Sequence, residues 1–345
     1  MPKAPNKEEQ TISLPTLVGH EDVRESLRTL SKSGKMPHAL MFYGPKGIGK
    51  RAVADHMAWS LIAGAGDEGD NILGHNGQSN EAAQLKAGAS PNYHVLCPSE
   101  NRRNITVDDV RRILERISLS SDGWRIVIVD SADELNEASA NAILKTLEEP
   151  QPGVLLILLS NNLSKLLPTI VSRCRKFRFS PLSAEHVRTV LKQEGEDNPD
   201  AVILGVSGGS AGTATELMKK GENVVKVLPA FFDDLAAGSQ ITNPADYAQK
   251  MLTKSDYLIC SEFLLWWLAA CARQAGGFTD SQLQSDLSEQ LTKHSKLLSA
   301  LAWGRLYKDV AKLTAEQTEF NLPATASLET ALQMIINALN TAKAA

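Results

Sequence analysis

Met41–Arg51, MFYGPKGIGKR, is the stretch that decides how the rest of the chain can be arranged. An apolar, strand-like run leads into Gly44-Pro45-Lys46-Gly47-Ile48-Gly49-Lys50, which fits the phosphate-loop pattern of glycine, four residues, glycine and lysine. The glycines permit a sharp turn whose N–H groups point inward as an anion nest. Lys50 opens a helix and is expected to reach the β- and γ-phosphates of a nucleotide. The stretch therefore predicts a strand, a phosphate loop and a helix.

Two departures make this nucleotide site degenerate. The position after the loop lysine should carry a Ser or Thr hydroxyl for Mg²⁺, but here it is Arg51, and a guanidinium has no lone pair to offer a metal. Trp124–Asp130 (WRIVIVD) predicts a second strand whose final acid, Asp130, would hold Mg²⁺. An active ATPase usually has a glutamate next, and this chain has Ser131. Loss of both the metal hydroxyl and the general base favours a site that does not hydrolyse nucleotide.

Other polar residues near these strands have two interpretations. Asn161 follows the apolar run Val154–Leu159, where it could sense a γ-phosphate or simply begin the next turn. Asp133 and Glu134 could be mistaken for the missing base, but they are interpreted as turn and helix-entry residues. The candidate nucleotide-binding residues are the seven loop residues together with Arg51, Asp130 and Asn161, and no metal site is predicted.

Composition bounds the class of protein. A chain of 345 residues is expected to form two or three domains. Its hydrophobic content of 43% and charged content of 22% are typical of a soluble globular protein, and a net charge of −4 gives no overall attraction to nucleic acid. The four cysteines have no metal-ligand spacing, and the apolar runs reach about half a membrane span at most. These features predict an intracellular, cytoplasmic protein without a membrane partner.

Alternation of strands and helices after a phosphate loop predicts an α/β fold, with a parallel sheet covered on both faces. The expected divisions are a disordered leader at 1–13, a phosphate-loop domain at 14–180, a small helical domain at 181–221 and a helical domain at 222–345. Within the second of these, Gly64–Ala89 is interpreted as a surface insertion around a short helix.

Several further motifs accompany the phosphate loop: Met36-Pro37-His38-Ala39, Ile105-Thr106-Val107-Asp108, Ala140–Pro150 (ANAILKTLEEP) and Ser172-Arg173-Cys174. Together they resemble the clamp-loader branch of the AAA+ family, densely from about Leu17 to Leu182 and faintly afterwards. The resemblance implies an AAA+ parallel-sheet domain, a helical lid and an all-α collar domain.

The same resemblance implies a role for Arg173. In this family, Ser-Arg-Cys supplies an arginine finger that reaches into the ATP site of a neighbouring motor subunit, where a guanidinium can stabilise charge on the γ-phosphate. The plainer alternatives are a surface arginine or one paired with a nearby acid.

The resemblance also implies partners: motor subunits (γ/τ), a δ subunit, the sliding clamp and, through the complex, primer–template DNA. Many relatives bind zinc through four cysteines after the loop helix, but Gly64–Ala89 contains none, so no zinc is expected. Thr213 stands where many motors carry an ATP-contacting arginine. These departures favour a non-hydrolysing subunit with no certain cofactor, and they leave weak nucleotide binding open.

Two other classes of function remain. One is a working AAA+ ATPase, either a clamp-loader motor or a DNA-repair enzyme, supported by the intact loop and Asp130. The other is an independent nucleic-acid-binding module that uses Arg102, Arg103, Arg111 and Arg112. The acidic net charge and the lack of interleaved aromatic residues oppose the second. Arg111, Arg112 and Arg116 lie in the predicted helix after Thr106, where their plainer interpretation is a solvated face.

Overall fold

In the described residues of the computed structural model, five parallel strands form one sheet, in the order β2-β3-β4-β1-β5. They are β1 (Ala39–Tyr43), β2 (Tyr93–Leu96), β3 (Arg125–Asp130), β4 (Val154–Ser160) and β5 (Arg175–Arg178). The structure describes residues 14–64, 73–74, 77–98, 104–119, 123–196, 199–253, 255–278 and 285–344. The predicted parallel α/β architecture is confirmed.

The strand order brings three chain segments to one edge of the sheet. β4 lies between β3 and β1, and in the register Asp130 is opposite Leu159 while Tyr43 is opposite Ser160. Because parallel strands all end at the same edge, the phosphate loop after β1 and the polar residues after β3 and β4 become neighbours. The sheet therefore assembles the candidate site from parts far apart in the sequence.

Helices cover both faces of this sheet. They are α1 (Glu21–Lys32), α2 (Lys50–Ala63), α3 (Asn80–Lys86), α4 (Val107–Leu119), α5 (Glu137–Glu148) and α6 (Pro168–Arg173). On one face, strand residues such as Phe42 and Ile128 pack with Leu27 of α1 and Met57 of α2. On the other face, Met41 and Val129 belong to the core that includes residues of α4, α5 and α6. Fully buried strands explain why β3 and β4 read as continuous apolar runs.

Local signals fix several helix ends. The spacing of Thr106 and Asp109 predicts a capping box at the start of α4, and Thr106 Oγ1 donates to Asp109 Oδ2 at 2.6 Å, which confirms it. Pro168, within the short helical pattern at 166–172, predicts a break in that segment, and this prediction is wrong. It is the first residue of α6, where a proline fits because the first helical N–H has no intrahelical acceptor.

The chain divides into two compact units between Leu182 and Ser183. The second unit contains α7 (Ala184–Gln193), α8 (Ala201–Ser207), α9 (Ala211–Lys220), α10 (Glu222–Ala236), α11 (Pro244–Leu252), α12 (Tyr257–Ala275), α13 (Ser285–Ser295), α14 (Ala300–Phe320) and α15 (Ala324–Ala344). Its buried aromatic residues include Phe231, Phe232, Trp267 and Trp303. Separation of a lid from a collar at residue 221 stays a prediction.

Some predicted features lie outside the described residues: the leader at 1–13, residues 65–72 and 75–76 of the insertion, and Arg102 and Arg103. Within the described part of the chain, no helix is both long enough and apolar enough to cross a bilayer.

Candidate nucleotide site

Gly44 begins the phosphate loop in a position that only glycine fits. Its φ is +149°, and a Cβ placed there would lie 2.2 Å from the carbonyl oxygen of Phe179. Its N–H donates to the carbonyl of Ser160 at 3.2 Å, so the start of the loop is fastened to the end of β4. Gly47 and Gly49 follow with φ of +73° and +100°. The loop therefore has the turned backbone that the glycine spacing predicts.

Lys50 points into this loop and is only 6% exposed. Its Nζ donates to the carbonyls of Gly44 and Pro45, at 2.7 and 2.6 Å, and to Oδ1 of Asn161 at 2.8 Å. These acceptors use the three N–H bonds of the ammonium. Burial lowers the pKa of Lys50 to about 8, against the opposing attraction of Asp133 and Asp130. The lysine holds the loop closed on itself and ties it to the end of β4.

Arg51 turns the other way, towards β3. Its Nη1 donates to Oδ2 of Asp130 at 3.0 Å, and its Nε donates to Oδ1 of Asp55 at 2.7 Å. The two residues predicted to matter for magnesium are therefore bonded directly to each other. Burial acts to lower the pKa of the Arg51 guanidinium, but Asp55 and Tyr93 raise it above its ordinary value.

Asp55 and Tyr93 complete this cluster, and neither was predicted from the sequence as a site residue. Arg51 Nη2 donates to the Tyr93 hydroxyl at 3.2 Å, and that hydroxyl donates to Asp55 Oδ1 at 2.7 Å. Burial raises the pKa of the Asp55 carboxyl, although Arg51 opposes the shift. Asp55 had a detectable signal, because oppositely charged residues four apart on a helix are neighbours. Tyr93 begins β2, and no local pattern connects it to Arg51.

Asp133 organises the turn after β4. Its Oδ1 accepts from Ser160 Oγ at 2.8 Å and from the Asn162 N–H at 3.2 Å, and its Oδ2 accepts from the Asn161 N–H at 2.5 Å. The interpretation of Asp133 as a turn residue is confirmed by these contacts. Asn161 reaches Lys50 with its carbonyl oxygen and donates from Nδ2 to Ser131 Oγ at 3.2 Å.

His20 closes the site from the chain segment before α1. Its Nε2 lies 2.6 Å from the carbonyl oxygen of Ile48, so this nitrogen carries the proton and donates to the phosphate loop. Its ring lies 4.8 Å from that of Phe179, and its backbone is left-handed, with φ of 58°. This contact ties the connector at residues 17–20 to the loop.

Arg173 is not part of this assembly of residues. It ends α6, where Nη2 lies 2.9 Å from Oε1 of Glu148 and Nη1 donates to the carbonyl of Thr169 at 3.0 Å. The side chains of Arg173 and Glu148 are 37% and 52% exposed. The structure therefore brings together the phosphate loop, Asp130 and Asn161, and it leaves Arg173 at the surface with an acidic partner.

The arginines of α4 do not form a basic stripe. Arg112 Nη2 lies 3.1 Å from Oδ1 of Asp109 in an exposed ion pair. Arg111 lines a groove between α4 and α5 that also contains Glu115, Lys145 and Glu149. Charges of both signs alternate along this surface, as on an ordinary solvated helix face.

Comparisons with known proteins agree with the motifs quoted above. The family described as "DNA polymerase III, delta subunit" matches residues 19–183. DNA polymerase III subunit delta' of Pseudomonas aeruginosa is 37% identical over 53% of this chain and 56% of its own length. The protein of the same name from Haemophilus influenzae is 26% identical over 82% of this chain and 85% of its own length.

A second group of relatives comes from another replication system. Replication factor C small subunit 1 of Pyrobaculum arsenaticum is 30% identical to the chain, with coverage of 69% of this chain and 67% of its own length. By contrast, the chain spans little more than half the length of the Pseudomonas protein. The matched share of this chain therefore differs between relatives, from 53% for the Pseudomonas protein to 82% for the Haemophilus protein.

Proposed function

This chain belongs to the clamp-loader family of AAA+ proteins, and from that premise we propose that it is a non-hydrolysing subunit of the δ′ type. In this role it assembles with ATP-hydrolysing neighbours and contributes an arginine to a site it does not itself contain. The complex opens a sliding clamp and places it on primed DNA. A cytoplasmic location belongs to the same proposal.

The surroundings of Arg173 carry the proposal. Its contacts with Glu148 and Thr169 involve α5 and α6, and neither partner belongs to the phosphate loop or to the residues that follow β3 and β4. The guanidinium is more than a third exposed, and exposed ion pairs contribute only about 0–1 kcal/mol. A phosphate group of a neighbour can therefore displace Glu148 at small cost and gain a bidentate partner.

The end of β3 supports the absence of turnover at the chain's own site. Water activation needs a carboxylate beside Asp130, and that position is Ser131. Asp133, two residues further on, accepts three hydrogen bonds from residues 160–162 and is thereby fixed as part of a turn. The phosphate loop is thus formed, but among the described residues no carboxylate at the end of β3 is placed to activate water.

Two rival functions are weaker. A working ATPase is favoured by the well-formed loop and by Lys50, but it lacks the base. An independent nucleic-acid binder would need a continuous basic surface, whereas Arg112 is paired with Asp109 and the groove beside Arg111 carries both signs of charge. If it existed, such binding would be strong in the isolated chain and would fall steeply with salt.

Motor subunits (γ/τ), a δ subunit and the sliding clamp are the proposed partners, with DNA bound through the complex. The test is steady-state ATP hydrolysis by the chain alone and by the chain mixed with these partners. We expect the chain alone to hydrolyse no ATP. In the assembly, we expect Arg173→Ala to lower turnover about 10³-fold at the neighbouring ATP site that Arg173 is proposed to reach.

Arg112→Ala is the matched control, because it removes another exposed, ion-paired arginine. It should leave assembly-dependent turnover unchanged. Robust turnover by the isolated wild-type chain would replace this proposal with the motor function. Full turnover in an assembly that contains Arg173→Ala would remove the trans role.

A further inference from the structure

Magnesium beside a phosphate loop is normally held by a hydroxyl after the loop lysine and by a carboxylate at the end of the neighbouring strand. The corresponding residues here are Arg51 and Asp130, and Nη1 of Arg51 lies 3.0 Å from Oδ2 of Asp130. A guanidinium has five donors and no lone pair, so it is not a metal ligand. The residues present do not fit Mg²⁺.

Each of the three guanidinium nitrogens of Arg51 has a hydrogen-bond partner, so the side chain is held in one orientation. Its Nε, Nη1 and Nη2 each have a partner, which are Asp55 at 2.7 Å, Asp130 at 3.0 Å and Tyr93 at 3.2 Å. Tyr93 in turn donates to Asp55 at 2.7 Å, which fixes the carboxylate that holds Nε. These contacts lock the planar fork of the guanidinium against Asp130.

Asp130 already has a cationic partner, so no metal is needed to neutralise it. Asp55 and Asp130 face Arg51, and the ammonium of Lys50 is attracted by Asp133 and by Asp130. A divalent cation beside Asp130 would stand next to a guanidinium already in contact with the same carboxylate. Like charges so close together disfavour binding of the metal.

We propose that the guanidinium of Arg51 takes the place of the divalent cation in this phosphate-loop site. It neutralises Asp130 permanently and makes the site independent of magnesium, so that phosphate groups reaching the loop meet Lys50 and the backbone N–H groups alone. This inference does not depend on the trans role of Arg173.

The experiment compares full-length wild-type protein with Arg51→Thr, which restores the hydroxyl. The probe is adenosine 5′-O-(3-thiotriphosphate), titrated calorimetrically in Mg²⁺ and in EDTA, with Mn²⁺ paramagnetic resonance as a second readout. We expect wild-type affinity in Mg²⁺ and EDTA to agree within threefold, or binding to be absent in both. We expect Arg51→Thr to bind the nucleotide at least tenfold more tightly in Mg²⁺ and to broaden the Mn²⁺ signal in its presence.

Two further variants guard against misfolding. Arg51→Thr leaves Asp55 without its cationic partner, so Arg51→Thr/Asp55→Asn removes that negative charge as well, and circular dichroism checks both proteins. Arg51→Lys is the matched control, since it keeps a cation and should remain independent of magnesium. A tenfold higher affinity of the wild type for the nucleotide in Mg²⁺ than in EDTA would overturn the proposal. The proposal would also be overturned if the folded threonine variants bound the nucleotide with the same affinity in Mg²⁺ and in EDTA.

Discussion

Arg51 and Arg173 have the same side chain in opposite surroundings. Arg51 is held by two carboxylates and a tyrosine hydroxyl, and Arg173 is held by one exposed glutamate and a backbone carbonyl. A cation held by several fixed partners is costly to move, whereas an exposed pair exchanges readily. At the residue scale, this difference is what we expect if Arg51 has a structural role and Arg173 has the proposed role at a neighbouring subunit.

Gly44 provides a stability test of the loop. Gly44→Ala would place a Cβ 2.2 Å from the Phe179 carbonyl, so we expect a loss of about 3 kcal/mol in unfolding free energy. Gly34→Ala is the matched control, because Gly34 has φ of +65° with nothing within 4 Å and should cost about 1 kcal/mol. Urea unfolding measures both. Equal losses for the two variants would contradict the close approach of Gly44 to β5.

Lys50 should give the loop a pH signature. Its pKa falls from 10.5 to about 8 on folding, so the unfolded chain holds the proton more tightly. The unfolding free energy of the wild type relative to Lys50→Met should therefore rise between pH 8 and 10.5, by at most about 3 kcal/mol. An NMR titration of lysine Cε resonances checks the midpoint directly. Titration of every lysine above pH 10 would contradict the burial of this ammonium.

At the scale of elements, the connection after β4 depends on Asp133. Asp133→Ala removes an acceptor of three hydrogen bonds from residues 160–162, and we expect a loss of about 2–4 kcal/mol in unfolding free energy. Glu134→Ala is the neighbouring control, because Glu134 is exposed, and it should change stability by less than about 0.5 kcal/mol. Chemical denaturation distinguishes the two. An unfolding free energy unchanged by Asp133→Ala would mean that the turn after β4 forms without these hydrogen bonds.

Most elements of the first unit could be predicted because their signals are local. Continuous apolar runs marked β1, β3 and β4, and the capping box marked the start of α4. The ion-pair cluster could not be predicted in full, since it joins α2 to the start of β2 and the end of β3. A sequence pattern does not reveal that the Tyr93 side chain reaches Arg51. Pro168 was misjudged because proline disrupts a helix interior but suits a first turn.

The helices of the second unit were located but underestimated in length. The apolar patterns predict helices at 231–235 and 297–310, and the corresponding α10 and α14 span Glu222–Ala236 and Ala300–Phe320. Packing against other helices stabilises the polar turns at the ends, and a single sequence does not reveal that packing. Pro229 lies inside α10, so tertiary contacts outweigh its unfavourable helix propensity.

For the whole molecule, family membership and the two arginines suggest a division of labour between the chain's own nucleotide site, proposed to be structural, and its surface, proposed to act on a neighbouring subunit. The phosphate loop is formed, but its lysine holds loop carbonyls and Asn161, and its metal position is filled by Arg51. The chain is thus expected to act through its surface rather than through its own nucleotide site.

The most direct test compares Lys50→Met with Arg173→Ala in the same reconstituted assembly with motor and δ partners. Single-turnover ATP hydrolysis should be unchanged with folded Lys50→Met and should fall about 10³-fold at the neighbouring site with Arg173→Ala. Sedimentation first establishes that both variants enter the complex. An equal loss for both variants, or a loss for Lys50→Met alone, would contradict the division of labour and return catalysis to this chain's own loop.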